Sequence, residues 1–499
     1  MLQFQPASGL TGSPTLRQGA GAWWTLVNVA LVLVPTILSG LSIALGIVPS
    51  SRIPALALFI ASGAFLLVKR REGRDLLHPV RVFGAIWCLC LALASLRLSP
   101  MISAWGSVTW SCFLTGPAAF IGGFWLAGRL AGPPGGSRGR ERGVEAAAGS
   151  LLPNQKALIV VALSLAVGGA VLGYEYHLIG TIPMLADNPD EARLRLFGFA
   201  GIVDPQFDKL YIKLLHPLVD FIKYGVFLAV IVLCQRAPRS RKTVALSVAL
   251  IVLGTLMLGS QGGRGFLVNI AVMSMALFHY LRRRVRLAEF ALASLALFLL
   301  VGVLGSLRTK ASGSGPFFER AISQSGLPEG QVWDGVAFGY VTVTRSFEVF
   351  HRLTEDLPTT AHPGGGFLFY SLHRFIPRSN LQLLDADLYT AEMITPTYLG
   401  ELYGDYGYWG VLFGSLLLGA GYAYAYLRGT SRNRSYWVYV RAMLLWNLIG
   451  FPYMNDFSYH LTWIWDLAFM YLLMRYLTRS GGRAVPSAAG GLGRGLVTA

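Results

Sequence analysis

An all-helical, polytopic membrane protein is the fold class this chain predicts, and three observations carry that expectation. Of 499 residues, 54% are hydrophobic and only 13% charged, with a mean hydropathy of +0.52, too apolar for a water-soluble globule. The apolar residues gather into runs of roughly 16 to 25, the length that crosses a hydrocarbon core of about 30 Å at 1.5 Å per residue. The net charge of +17 sits in short clusters between those runs, which is a topology signal and not a nucleic-acid groove.

Taken in order, residues 1–22 read as a polar tail. Spans are expected at 23–47, 53–68, 79–98, 108–128, 156–175, 216–234, 243–260, 265–281, 288–306, 409–427, 436–452 and 460–477, about twelve in all. The run from Trp23 is too long for a signal peptide and lacks a convincing cleavage site, so it is expected to stay as the first span. A Gly, Pro and Arg-rich stretch at 132–149 reads as a linker, and 478–499 as a disordered tail. The four cysteines, Cys88, Cys90, Cys112 and Cys234, lie inside apolar runs as small hydrophobes and imply neither disulfides nor a metal.

With the N-terminus in the cytoplasm, the basic clusters at Lys69–Arg71, Arg138–Arg142, Arg236–Lys242, Arg282–Arg286 and Arg428–Arg434 all fall inside, and most acids fall outside. Both termini are therefore expected in the cytoplasm. Three longer or unusual segments then face outward: 176–217, the turn Gly259-Ser-Gln-Gly-Gly-Arg-Gly265, and the long excursion 307–408. A transporter would show charges or Gly/Pro breaks paired between two halves near the midplane, and no such pairing is apparent.

The outward segments hold the candidate chemistry. Four glycines around Arg264 allow a backbone to approach a ligand while a planar guanidinium offers paired donors to phosphate; the plainer reading is a tight hairpin with a snorkelling arginine. Gly180-Thr-Ile-Pro-Met184 precedes an acid and arginine cluster that offers Arg193 to an anion, whereas Arg195 fits a local pair with Glu191. His373 stands beside Arg374 and Arg378 and is a candidate proton acceptor. Glu401, Tyr403, Asp405 and Tyr406 precede a span; the tyrosines fit either an interfacial belt or a flat surface for a sugar ring. No histidines or acids have metal-ligand spacing.

These motifs, with Thr395-Pro-Thr-Tyr-Leu-Gly-Glu-Leu-Tyr-Gly-Asp-Tyr-Gly407, resemble those of the O-antigen polymerase (Wzy) and oligosaccharide repeat-unit polymerase family. The resemblance covers about residues 20–477 in architecture, including the long outer loop before the last three spans. Family members often read Gly-Ser-Arg-Gly in the turn, whereas this chain has Gln261 and places its arginine at Arg264. The resemblance implies a metal-independent, inverting glycosyltransferase of the GT-C type, without cofactor, in the bacterial inner membrane with a periplasmic site. Its donor and acceptor would be undecaprenyl-pyrophosphate-linked oligosaccharides among membrane lipids, with a chain-length regulator as a further candidate partner and no nucleic acid. On that reading Arg264, Arg374, Arg378 and Arg193 bind pyrophosphate, and Tyr403, Asp405 and Tyr406 bind sugar. His373 is the base, with Glu401 its rival. An O-antigen ligase is the nearest alternative, and a flippase or sugar transporter the non-enzymatic one.

Overall fold

A computed structural model describes residues 52–67, 75–98, 102–131, 152–197, 215–235, 240–311, 331–357, 396–428, 434–453 and 460–479. Its α-helices are α1 (Arg52–Leu67), α2 (Pro79–Ser95), α3 (Ser107–Leu130), α4 (Asn154–Ile179), α5 (Pro189–Phe197), α6 (Asp220–Cys234), α7 (Arg241–Gly259), α8 (Arg264–Leu281), α9 (Leu287–Ala311), α10 (Gln331–Asp356), α11 (Leu399–Arg428), α12 (Arg434–Gly450) and α13 (His460–Arg479). Short 3-10 turns stand at Pro183–Leu185 and His216–Val219, and no strand occurs among the described residues. All but α5 and α10 coincide with an expected apolar run. The expected span at 23–47, the tail 1–22, the linker 132–149 and residues 480–499 lie outside the described residues.

Among the described residues, seven helical stretches, from Ser107–Leu130 through Leu399–Leu427, are long and apolar enough to cross a membrane, and α1 and α2 contain shorter apolar ones. Several keep their apolar side chains on the outside: Val248, Val252 and Leu256 of α7 and Leu292, Leu295 and Leu299 of α9 are exposed. In water such faces would be a liability, whereas in lipid they are the solvent-facing surface. The chain is a multi-pass helical membrane protein.

The helices form two compact units, one from Met1–Ser137, Arg284–Thr430 and Arg441–Leu461, the other from Arg138–Arg283, Ser431–Val440 and Thr462–Ala499. In the first, α3 and α11 pack backbone against backbone. A Cβ on Gly123 would stand 1.9 Å from the Leu416 carbonyl oxygen, and one on Gly419 1.9 Å from that of Phe120. Small residues at a helix crossing permit this closeness, which supplies van der Waals contact where lipid gives no hydrophobic drive. Around it lies an aromatic core of Phe83, Trp87, Phe113, Phe120, Tyr398 and Phe451.

Two features of this unit depart from the plain reading of 307–408 as polar excursion. The first is α10, an amphipathic helix inside that interval. It meets in succession α9 at Gly302 and Phe298, the end of α2 at Leu93, the 102–106 loop, the first turns of α3 at Thr109 and Phe113, and Tyr403. It therefore packs beside α9 through Gly335 and Gly339 and then reaches the ends of α2 and α3. The second is α11, which begins ten residues before the expected span and is broken at Gly407, whose φ of 60° and ψ of −148° suit only glycine. The arm 396–406 doubles back, placing Leu402 against Gly410 and Gly414 and the Tyr398 hydroxyl 3.4 Å from Ser415 Oγ. Eight residues of helix beyond the break make that arm reach roughly 12 Å along its partner.

Residues expected on the inner side of this unit also meet one another: Tyr426 donates to Asp75, and Arg441 to the Tyr426 carbonyl. They lie at the opposite end of α3 and α11 from Thr109 and the Gly407 break.

The second unit is built around α6, whose residues from Tyr224 to Val232 are all buried, with α4, α7 and α8 packed on it. Its core is mostly aliphatic, with buried rings at Tyr224, Phe227 and Tyr439 and the charged side chains Lys223 and Asp466.

Candidate functional site

The turn between α7 and α8 is shaped by Gly262, at φ 75°, whose N–H donates to the Gly259 carbonyl at 2.9 Å. Gly263 is the N-cap of α8 and carries no side-chain cap, so the first N–H groups of the helix present a partial positive charge. Arg264 is the first residue of that helix and is half-buried. The arginine and the helix start thus combine two sources of attraction for an anion.

The 180–185 segment closes onto this turn. Met184 N–H donates to the Ser260 carbonyl at 3.1 Å, Ser260 Oγ donates to the Met257 carbonyl at 2.6 Å, and the Tyr176 and Ser260 hydroxyls are 2.6 Å apart. Helix α5 follows, opened by Asn188, whose Oδ1 accepts from Glu191 N–H. Leu196 of α5 packs on Ile179, Tyr176 and Leu178 at the end of α4. Two motifs some eighty residues apart in sequence therefore share one end of one unit, with half-buried Arg193 and Arg264 both on it. Arg195 forms the local pair expected of it, 2.7 Å from Glu191 and exposed.

Two charged groupings that the sequence reading passed over lie in this unit, together with Gln261. His216 Nδ1 is 2.9 Å from Glu175 Oε1, with the carboxylate buried and the imidazole 29% exposed. Lys223 Nζ lies 3.0 Å from Asp466 Oδ2 and 3.3 Å from Asp220 Oδ1, and the Tyr224 hydroxyl donates to Asp466. Gln261, inside the glycine turn, is 1% exposed, and its Nε2 has no hydrogen-bond partner among the described residues. Lys223 and Asp466 pair charges between two apolar runs of the same unit. The signal available in the sequence was a few charges inside apolar runs, Asp220 and Lys223 in one and Asp466 and Arg475 in the other.

In the first unit the structure places Tyr403 and Asp405 in the interior, at 0% and 1% exposure, with the Tyr403 ring edge-on to Phe350 at 5.8 Å. Tyr403 thus offers its ring to the protein core and presents no open face for a sugar. Glu401 is half-buried, and Tyr406 is exposed at the break. The belt reading suits Tyr406, Tyr408 and Trp409, which are all exposed. His373, Arg374 and Arg378 lie outside the described residues.

Helix α10 adds buried polar groups. Glu348 accepts from Ser103 N–H at 3.0 Å, Ser103 Oγ at 2.9 Å, Trp105 Nε1 at 3.3 Å and Arg352 Nε at 3.3 Å. His351 has Thr109 Oγ1 at 2.9 Å from Nδ1 and Glu355 Oε1 at 3.3 Å from Nε2. Glu348, satisfied by four donors, anchors the 102–106 loop to the helix. Among the described residues no group of three His, Cys, Asp or Glu is arranged to hold a metal ion.

Comparison with protein-family models, curated proteins and solved structures finds no match to this chain.

Proposed function

We propose that the protein is a glycosyltransferase that joins undecaprenyl-pyrophosphate-linked oligosaccharide repeat units into a surface polysaccharide, acting at the periplasmic face of the bacterial inner membrane through a twelve-span, GT-C-type fold. The observation that supports this most is the meeting of the 180–185 segment with the 259–265 turn, which sets Arg264 at an uncapped helix start and Arg193 on the same end of a membrane bundle. A lipid pyrophosphate lies at the edge of the bilayer and carries charge that grows as it leaves. Fixed guanidinium and N–H donors in a partly dry place stabilise that growing charge more than water does.

In the reaction the acceptor hydroxyl oxygen forms a bond to the anomeric carbon of the donor. The bond from that carbon to the pyrophosphate oxygen breaks, its electron pair leaving with the lipid carrier, and the hydroxyl proton passes to a base. A single displacement of this kind inverts the anomeric configuration. Transfer to a lipid A core or a protein, as an O-antigen ligase performs it, uses the same donor chemistry and differs only in the acceptor.

The test is reconstitution of the purified protein in liposomes with lipid-linked repeat units, followed on a gel. A ladder of products is expected, and Arg264→Ala should reduce it about 100-fold, the cost of losing one oxyanion-type donor. No ladder from the wild type overturns the polymerase reading; a ladder unchanged by Arg264→Ala removes the arginine from it. One observation favours a second, non-enzymatic reading, a carrier of lipid-linked sugars: the doubled-back arm of α11 brings irregular backbone into the interior of the first unit, as the broken helices of transporters do. Movement of labelled lipid-linked units across the liposome without bond formation would establish it.

A further inference from the structure

The proposed transfer needs a proton acceptor, and we infer that His216, oriented by Glu175, fills that place in the second unit. The inference deepens the glycosyltransferase reading and rests on it.

The Glu175 side chain is 4% exposed on α4, and its Oε1 stands 2.9 Å from His216 Nδ1. A buried carboxylate accepting from Nδ1–H fixes the ring in one tautomer and puts the basic lone pair on Nε2. It also balances the positive charge the ring acquires when it takes a proton. This is the arrangement by which a carboxylate holds a histidine for general-base work. The imidazole is 29% exposed, so it is within reach of a substrate that the carboxylate cannot touch.

The position is set by the chain. His216 opens the 3-10 turn His216–Val219, Pro217 follows it, and α6 begins directly after. Glu175 lies one turn before the end of α4, and its neighbour Tyr176 is bonded to Ser260 of the turn that leads into Arg264. The dyad and the arginine turn therefore share the end of α4, without any residue of the other unit. Other ionisable groups on the elements around it include Tyr174, Tyr176 and His177 of α4, Asp220, Lys223 and Tyr224 of α6, and Asp190, Glu191, Arg193 and Arg195 of α5. Of these, Lys223 and Asp220 are already engaged with each other.

In the step, the acceptor O–H proton moves to His216 Nε2 as the oxygen bonds to the anomeric carbon, and the pyrophosphate leaves with its electron pair. Glu175 touches no substrate and is a positioning residue.

The experiment compares reconstituted wild type with His216→Ala, His216→Asn and Glu175→Gln on lipid-linked repeat units. Asn keeps an N–H toward Glu175 but has no basic nitrogen, so it separates lost chemistry from lost folding. Both His216 variants should turn over about 100-fold or more slowly at saturating substrate, the usual worth of a placed general base. Donor binding, read by quenching of tryptophan fluorescence, should be unchanged, and added imidazole should restore part of the His216→Ala rate. Glu175→Gln should lower kcat with KM unaltered. If the wild type polymerises and His216→Asn does so within twofold of it, the dyad is structural and the inference is overturned. If the wild type itself makes no glycosidic bond from these units, the glycosyltransferase reading fails first.

Discussion

The two units place polarity inside an apolar bundle by different means. In the first, the backbone itself is interrupted. The arm 396–406 enters the interior, the Tyr398 N–H donates to the Phe451 carbonyl at 2.9 Å, and the Tyr398 and Phe451 rings stack at 4.6 Å. The exposed peptide groups are answered by other peptide groups and shielded by aromatic rings. In the second, α6 runs unbroken and polarity arrives as side-chain charge, Lys223 against Asp466 and Asp220. The difference teaches where each is vulnerable. A backbone break depends on conformation and close packing, whereas a buried charge depends on its partner, because a lone ion in low dielectric is expensive.

The largest effect that could break this contrast is the loss of one charge partner. Asp466→Ala leaves the Lys223 ammonium facing only Asp220 and is expected to cost about 3–5 kcal/mol, the range for orphaning a buried ion. Thermal unfolding in detergent should show it, and the double variant Lys223→Met with Asp466→Leu should recover most of the loss. If the double variant is as unstable as the single one, charge balance is not what holds α13 to α6.

Next in size are the conformational changes in the first unit. Gly407→Ala forces a side chain onto a backbone angle that suits only glycine and is expected to cost about 1–3 kcal/mol. Gly419→Ala pushes a methyl into the Phe120 carbonyl, at a cost of about 1–3 kcal/mol if the helices can part slightly. Both are read by the same unfolding measurement; a neutral Gly407→Ala would show that the arm does not depend on that break, and a neutral Gly419→Ala that α3 and α11 are not held at backbone contact. The smallest effect belongs to the surface. Arg195→Ala removes an exposed pair one helical turn apart and should change stability by no more than about 0.5 kcal/mol. A larger loss would mean that Arg195 has a role beyond Glu191.

The apolar helices were legible because a span must be long and uniformly apolar, and that requirement is written locally in the residues. The break at Gly407 was not, because Tyr403, Tyr406 and Trp409 suit both a membrane-surface belt and a doubled-back arm; only their burial separates the two. Helix α10 was hidden by its mixed composition: Glu348, Arg345 and His351 read as loop polarity, yet they are the buried polar face of a helix that packs beside α9 and reaches the ends of α2 and α3. The pair Lys223 and Asp466 was unreadable for another reason, since a contact between distant positions leaves no local pattern. At the candidate site the sequence marked both motifs that meet at Ser260 but not the His216 and Glu175 pair beside them, whose members are ordinary taken singly.

The doubled-back arm also bears on how the protein is made. Pro396–Tyr406 is too short to be recognised by the insertion machinery as a span of its own. Its anchor, the Phe451 carbonyl, lies downstream and is synthesised later. The arm must therefore wait at the membrane surface until α12 has been threaded in, and settle only then. Biogenesis of the first unit is completed from its C-terminal side, so ribosome-bound chains truncated before Phe451 should leave this arm open to protease while the earlier spans are already protected.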